Sequence, residues 1–416
     1  MTRVFLLNRF FFPDHSATSQ ITSDLAADLA ARGCDVIAIT GRQRYDDPSA
    51  QLARSEAYAG VRIRRVGSTH FGRHNLLGRA VDYLSFYVCA SLTLWREATR
   101  GAVIIAMTDP PLLGVPALIV ARLRGAHCVN WLQDVFPEVA ERLKLLRPSA
   151  LASLLRSLRN WGLRHADATV VIGERMAAHV APLCGRPPVV IPNWALAEPL
   201  ESNASSPSGD AVVTQALRAR WALGDAFLVG YSGNMGRAHR LDVVIDAACA
   251  LRSQPAPRFL MIGDGAQRSA LEARARSLGL QNVMFQPYQP LEHLRESLTV
   301  PDIHIVTLDE RLEGLVVPSK FVGVLALGRP VLWIGDADGE VGRLVQEFGC
   351  GVTVSPPDAT ALARVLCELS EDHARGGARL RSMAMAAKAL WSERFRRRDA
   401  LDAWAALIER CAQEVR

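Results

Sequence analysis

Short apolar runs alternate with stretches of helical hydrophobic spacing from one end of the chain to the other. Arg3 to Leu7 is the first run and ends in a polar loop from Asn8 to Ser19. Ile21, Leu25, Leu29 and Ala30 then recur at helical spacing, Gly33 stops that helix, and Val36 to Thr40 is apolar again. Strand, helix, strand in that order predicts a parallel pair joined by a crossover helix. The same alternation continues through runs at Val103–Met107, Cys128–Leu132, Ala168–Ile172 and Val189–Asn193. Val61 to Val66 alternates apolar and basic residues, as expected of an edge or half-exposed strand. Leu200 to Gly209 is a polar, Ser/Pro/Gly-bearing segment with the composition of a linker or exposed loop. The alternation then restarts at Phe227–Ser232 and runs through Arg258–Ile262, Val283–Phe285, Ile303–Leu308, Val331–Ile334 and Gly351–Val354. The pattern predicts an α/β chain of two doubly wound domains, residues 1–200 and 201–390, and a C-terminal segment 391–416. That last segment carries a basic-then-apolar helix, Glu393–Ile408, placed to pack back toward the N-terminal domain.

Length agrees, because 416 residues are too many for one ordinary core. Apolar residues make up 49% and charged residues 22%, a globular composition, and no apolar run reaches the length of a membrane span. A cytoplasmic protein is expected. The eight cysteines are scattered without a CxxC pair, which argues against a zinc site or a disulfide framework. The formal charge of +6 is uneven: residues 1–195 carry 23 Lys+Arg against 15 Asp+Glu, so the first half is the basic one. It would be drawn to an anionic membrane surface or a phosphate-bearing acceptor; the aromatic-basic and zinc-finger patterns of nucleic-acid binding are missing. Residues 73–100 combine arginines with Leu76, Leu77, Val81, Leu84, Phe86, Tyr87, Leu92 and Trp95. Such a helix either covers the sheet or lies on an anionic bilayer.

Open α/β sheets hold ligands at the carboxyl ends of their strands. The loop after the first strand therefore offers Phe12, Pro13, His15, Ser16 and Ser19, with His15 either a contact or merely solvated. No GxGxxG follows that strand, which argues against a nicotinamide or flavin site. Asp134 and Glu138 follow the run ending at Leu132; Asp134 is placed to orient or deprotonate a hydroxyl, or both acids mark a helix start at Pro137. In the second half Gly233, Asn234 and Gly236 form a glycine-bearing turn with Arg237 and Arg240 behind it, parts suited to a phosphate. Gly263 follows the next strand, and Pro287, Tyr288 and Gln289 form a rigid turn able to hold a flat ring. Glu313, Gly314, Leu315 and Val316 then lead to Ser319, a candidate N-cap, and to Lys320, one of three lysines beside 45 arginines.

The stretches FFPDHSATSQITSDLAADLAARGCDVIAITG, TDPPLLG, WLQDVFPE, VVIPNW, GYSGNMGRAHRLD, MIGDG and VPSKFVGVLALGRPVL together resemble the retaining glycosyltransferases of family 4, nearest the bacterial O-antigen, capsule and exopolysaccharide (colanic-acid-type) branch. The resemblance implies the GT-B fold, two Rossmann-like domains facing a cleft, and donor binding mostly by the second domain. It puts Gly233 and Asn234 at the donor diphosphate, makes Arg237 and Arg240 the basic pair that neutralises the leaving phosphate, and sets Pro287 to Gln289 against the nucleobase. Glu313 would hold the donor sugar, with Ser319 and Lys320 near the diphosphate. The family's second glutamate is replaced by Gly323. The resemblance further implies a nucleotide-diphosphate sugar donor, most often a UDP-sugar, no metal or other cofactor, and a polyprenyl-diphosphate-linked sugar acceptor against the loop from Phe12 to Ser19 and Asp134. Peripheral attachment to the inner face of the cytoplasmic membrane follows as an expectation. A nucleotide-sugar 2-epimerase and a non-catalytic nucleotide-sugar-binding partner of an assembly complex are the alternatives.

Overall fold

The computed structural model describes all residues except 46, 48, 70, 72–75, 197–206, 254–256, 290–292 and 415–416. Contacts divide the chain into two compact units, one of residues 1–196, 314–316 and 397–416, the other of residues 197–313 and 317–396.

The first unit is built on eight strands: β1 (Arg3–Leu7), β2 (Asp35–Gly41), β3 (Ser55–Tyr58), β4 (Val61–Val66), β5 (Val103–Met107), β6 (His127–Leu132), β7 (Ala168–Val171) and β8 (Val189–Val190). They lie in the order β3-β4-β2-β1-β5-β6-β7-β8. All neighbours are parallel except β3, which runs antiparallel to β4. β3 is thus the edge and β4 an interior strand, contrary to the reading of Val61–Val66 as an edge or half-exposed strand; Arg65, fully buried at its side chain, is neutralised there by Glu56 at 2.6 Å. Helices α1 (Ala17–Ala31), α2 (Leu76–Glu97), α3 (Gly114–Arg124), α4 (Glu138–Arg142), α5 (Ala150–His165) and α6 (Glu174–Val180) connect the strands. Both faces of a parallel sheet need cover, so the strands are apolar on both sides. Ile21, Leu25 and Leu29 of α1 cover one face, and Phe86, Ala90 and Leu94 of α2 with Ala117, Leu118 and Ala121 of α3 cover the other.

The second unit has six strands: β9 (Leu228–Ser232), β10 (Arg258–Ile262), β11 (Val283–Gln286), β12 (Ile303–Thr307), β13 (Val331–Ile334) and β14 (Gly351–Val354), ordered β11-β10-β9-β12-β13-β14 and parallel throughout. Its helices are α7 (Pro207–Arg220), α8 (Leu241–Ala250), α9 (Arg268–Ser277), α10 (Leu294–Thr299), α11 (Lys320–Ala326), α12 (Glu340–Phe348), α13 (Ala359–Ala374) and α14 (Ala378–Arg394). The expected linker Leu200–Gly209 lies outside the described residues up to 206, and from Pro207 the chain is already helical.

Glu393–Ile408, read from the sequence as one helix, is two. α14 ends at Arg394, and α15 (Arg397–Gln413) is grouped with the first unit. There Leu401, Trp404, Leu407 and Ile408 join the α1 face of the core, and the Trp404 ring lies 4.6 Å from that of Trp131. Two ion pairs anchor α15 to α1: Arg397 with Asp24 at 2.7 Å and Arg32 with Asp402 at 2.6 Å.

Candidate functional site

In the second sheet the order reverses between β9 and β12, the point at which such sheets form a ligand crevice beyond their carboxyl ends. These two strands pair only through Ile303 with Val229 and His304 with Gly230, so they part after Gly230. A Cβ at Gly230 would meet Pro301 at 2.2 Å, which requires glycine there. Tyr231 and the turn after β9 enter the space that opens on one side, and Lys320, the first residue of α11, enters from the other.

The Lys320 ammonium lies 2.5 Å from the Tyr231 hydroxyl and 3.4 Å from His239 Nε2. It also sits 4.0 Å from the centroid of the Tyr231 ring. His239 Nδ1 faces the Thr307 carbonyl at 2.7 Å, which assigns the proton to Nδ1 and leaves Nε2 as an acceptor toward the lysine. Tyr231 donates its own proton to the Asn234 carbonyl at 2.6 Å, so it too turns a lone pair to the ammonium. Among the described residues no carboxylate pairs with Lys320, and burial pushes its pKa down to about 7. Burial and the neighbouring ammonium push His239 down to about 3. The cluster is an amine held by neutral groups, a setting in which its charged form is disfavoured unless an anion joins it.

The loops after β9 and β10 are locked to each other beside this cluster. Gly233 N donates to the Ile262 carbonyl at 3.0 Å, and Met235 N to that of Asp264 at 2.7 Å. A Cβ at Gly263 would fall 2.1 Å from the Gly233 oxygen, and both glycines have positive φ. A side chain at Gly233 itself would meet the Lys320 stem at 3.3 Å, so this glycine clears the approach to the ammonium. Asn234 and Arg237 are exposed at the tip of the turn. Arg240 forks onto Asp242, both contacts being 3.2 Å. Tyr288 is 54% exposed, and Gln289 bonds back to the Pro287 carbonyl at 3.0 Å.

Glu313 accepts the Glu340 amide at 2.7 Å, so its carboxylate sits at the start of α12. Ser319 occupies the position before α11 but makes no side-chain capping bond, its backbone being helical already. Gly314, Leu315 and Val316 group with the first unit, where Val135 N donates to the Leu315 carbonyl at 3.0 Å and Asp134 forms a bridge with Val316.

In the first unit the switch point falls between β1 and β5. Phe12 stacks on Tyr58 with ring centroids 3.7 Å apart, and its carbonyl accepts from Arg65. Ser19, expected to face an acceptor, is fully buried and donates to the Asp14 carbonyl at 3.1 Å. Its place on the inner side of α1, where the turn must be tied down, accounts for the correction. His15 is exposed, while the Ser16 hydroxyl, at the α1 N-cap position, is buried without a partner. Pro13 follows a cis peptide bond. Asp134 reaches a cavity of about 40 Å³ lined also by Thr108, Asn130 and Arg159. Burial, with repulsion from Asp109 second, raises it to about 6, while Thr108 bonds it and opposes the rise. Glu138, its companion in the sequence, is occupied instead by Arg159 at 2.7 Å and Arg156 at 3.3 Å.

Sequence reasoning passed over Tyr231 as a strand residue and did not single out His239. A tyrosine in an otherwise aliphatic strand end and a histidine just before a helix, both bordering a glycine turn, were the available signals.

Residues 16–194 match the family model of the glycosyl transferase 4-like domain, and residues 226–372 that of the glycosyl transferases group 1. The chain is 29% identical over 302 residues to a probable glycosyltransferase, WbjE of Pseudomonas aeruginosa, covering 72% of this chain and 74% of the relative. It is 29% identical over 369 residues to WcaI of Escherichia coli K12, a putative colanic acid biosynthesis glycosyl transferase, covering 85% and 88%. Among solved structures, sucrose-phosphate synthase of Thermosynechococcus elongatus superimposes with a TM-score of 0.75 at 16% identity, over 99% of both chains. HepE of Anabaena, determined in complex with UDP-glucose, gives 0.69 at 18% identity over 99% of this chain and 100% of that one.

Proposed function

Because the chain belongs to the family 4 glycosyltransferases of bacterial polysaccharide biosynthesis, built on the GT-B fold, we propose that it is a retaining enzyme that moves a sugar from a UDP-sugar to a lipid-linked sugar acceptor. The observation that carries this reading is the partly buried Lys320 ammonium at the β9/β12 switch point, held by Tyr231 and His239 and, among the described residues, paired with no carboxylate. HepE holds UDP-glucose on the same fold, which supports a uridine donor.

In this reading the donor diphosphate lies along Gly233 and Asn234, with Lys320, Arg240 and Arg237 supplying positive charge. That charge is greatest in value as the nucleotide diphosphate departs, because the bond to the sugar then breaks before the new one is complete. These cations take the part a divalent metal would otherwise play, so the reaction is proposed to need none. Glu313, fixed at the α12 start, holds the donor sugar's hydroxyls, and Tyr288 offers a face to the base. The acceptor hydroxyl attacks from the leaving-group side, and the departing phosphate oxygen takes its proton. The acceptor is received by the first unit, where Asp134, raised to about 6, orients the attacking hydroxyl and the exposed His15 meets the acceptor's sugar. The enzyme works peripherally at the inner face of the cytoplasmic membrane, where a lipid-linked acceptor is found. No helix among the described residues is long and apolar enough to cross a membrane. Neither the 2-epimerase nor the non-catalytic reading finds support among the relatives, which are named as transferases.

The test is release of nucleotide diphosphate from UDP-, GDP- and dTDP-sugars with and without a polyprenyl-diphosphate sugar, followed by the anomeric configuration of the product. Acceptor-dependent release from a UDP-sugar, with the donor's configuration kept and undiminished by a metal chelator, is expected. Release without acceptor and with epimerised sugar would overturn the reading.

A further inference from the structure

Twelve of the twenty large apolar side chains that stand exposed among the described residues belong to three helices, α2, α3 and α5. In α2 they are Leu77, Val81, Leu84, Val88, Leu92 and Trp95, a spacing of three and four that makes one stripe along the helix. This stripe is opposite the buried one of Phe86, Ala90 and Leu94, so α2 is apolar on both sides. In α5, Leu151, Leu154, Leu158 and Trp161 repeat the spacing. Between them α3 exposes Ile119 and Leu123, and it packs against both α2 and α5. Three stripes therefore lie side by side on the outer surface of one helical layer. Leu77 is 76% exposed, Leu123 65% and Leu84 60%, values that no sheet-covering role accounts for.

The charge of this face is basic. The three helices contain seven arginines and two acids; Arg156 and Arg159 are paired with Glu138 and Glu141 of α4, so the sign is set by the others. Asp82 is buried, accepting from Thr69 and from the Phe71 amide, and Glu97 is paired with Arg64 at 3.0 Å. Arg96, Arg122 and Arg164 are exposed, and Arg124 lies over the Trp95 ring at 5.4 Å. A second copy of the chain is a poor occupant, since a two-fold contact would set this arginine-bearing face against itself. Apolar side chains ringed by arginine, with tryptophans near the ends of two helices, match the layered chemistry of an anionic bilayer surface.

We infer that the α2–α3–α5 face of the first unit docks on anionic lipid, with its leucines entering the acyl boundary and its arginines at the headgroups. The inference deepens the proposed function by naming the surface that brings the enzyme to a lipid-linked acceptor. It also differs from purely electrostatic attachment, because apolar insertion resists salt while charge attraction is screened.

Flotation of the full chain with vesicles of phosphatidylglycerol and phosphatidylethanolamine, and of phosphatidylcholine alone, tests it at low and high salt. The protein is expected to float with the anionic vesicles and to keep part of that binding at high salt. Leu84→Glu/Leu154→Glu should lose at least tenfold in binding at both salts, whereas Arg122→Glu/Arg164→Glu should lose mainly at low salt. Brominated lipids should quench the wild-type tryptophan emission, and less so in Trp95→Phe/Trp161→Phe, a readout that stands if the glutamate variant misfolds. No flotation of the wild type at low salt, equal flotation of a folded Leu84→Glu/Leu154→Glu variant, or a dimer in light scattering that this variant abolishes would overturn the inference. Flotation needs neither donor nor acceptor. Vesicle binding without sugar transfer would sink the proposed function and leave this surface standing, and transfer without vesicle binding would do the reverse.

Discussion

Replacing Lys320 by methionine should stabilise the fold and weaken the binding of the nucleotide diphosphate. Burial lowers the lysine from 10.5 to about 7, which at about 1.4 kcal/mol per pH unit is a cost near 5 kcal/mol where both folded and unfolded chains are protonated. Methionine keeps the stem and removes that cost, but forfeits the contacts with Tyr231, about 1–3 kcal/mol for a hydrogen bond and a cation–π pair together. The balance at pH 6 is a gain of about 2–4 kcal/mol, or roughly 4–16 °C in Tm for a domain of this size. The sign with pH follows from proton counts. Between about 7 and 10.5 the unfolded chain binds the proton that the folded chain has lost, so the wild type gains stability as pH rises and the variant's advantage shrinks. An arriving diphosphate restores the ammonium, so UDP binding to the wild type should take up a proton near pH 8 and weaken toward tenfold per pH unit above about 7. Thermal melts at pH 6, 7.5 and 9, with calorimetric UDP titrations in buffers of different ionisation enthalpy, read all of this. A Lys320→Met variant less stable than wild type at every pH, or UDP binding with no proton uptake, would refute the reasoning.

Three further outcomes follow from packing and charge. Gly263→Ala places a methyl 2.1 Å from the Gly233 oxygen at a positive φ, so a loss of roughly 2–4 kcal/mol in urea unfolding is expected, together with weakened UDP binding. Asp134→Asn removes a carboxyl raised from 3.8 to about 6; the wild type should lose stability as pH rises through that window and the variant should not, an offset of up to about 3 kcal/mol by pH 7 seen in melts at pH 4 and 7. If Asp134 also orients the acceptor, the same variant should lower kcat with little change in donor KM. Trp404→Ala empties a fully buried site against Trp131 and should cost about 3–5 kcal/mol, measured by chemical denaturation.

The strand and helix alternation was legible because both sheets are parallel and buried, which leaves each strand as a nearly unbroken apolar run. What escaped lay where that rule lapses. β3, Ser55–Tyr58, is an exposed antiparallel edge with two polar residues, so no apolar run marks it, and without it Val61–Val66 reads as the edge. The break between α14 and α15 is carried by Phe395 and Arg396 alone, with neither glycine nor proline to announce it. It is set by tertiary packing: Phe395 turns edge-on to Phe321 at 5.9 Å in the second unit, while the next helix is held by Asp24 in the first.

The candidate site divides along the same line. Glycine turns, arginines and a rare lysine are signals of residue type, and the chain shows them directly. The state of Lys320 is not one of them, because it depends on what fails to be near it. Tyr231 reaches the lysine only because β9 and β12 stop pairing after Gly230, and His239 presents a lone pair only because the Thr307 carbonyl claims its proton. Each of these neighbours is neutral, so neither lowers the cost of burying the ammonium as a carboxylate would. A carboxylate would have stabilised the fold and occupied the place of the anion. On the proposed reading the cluster gives up stability in the empty enzyme and recovers it when a phosphate arrives, and that is why its substitution should move stability and binding in opposite directions.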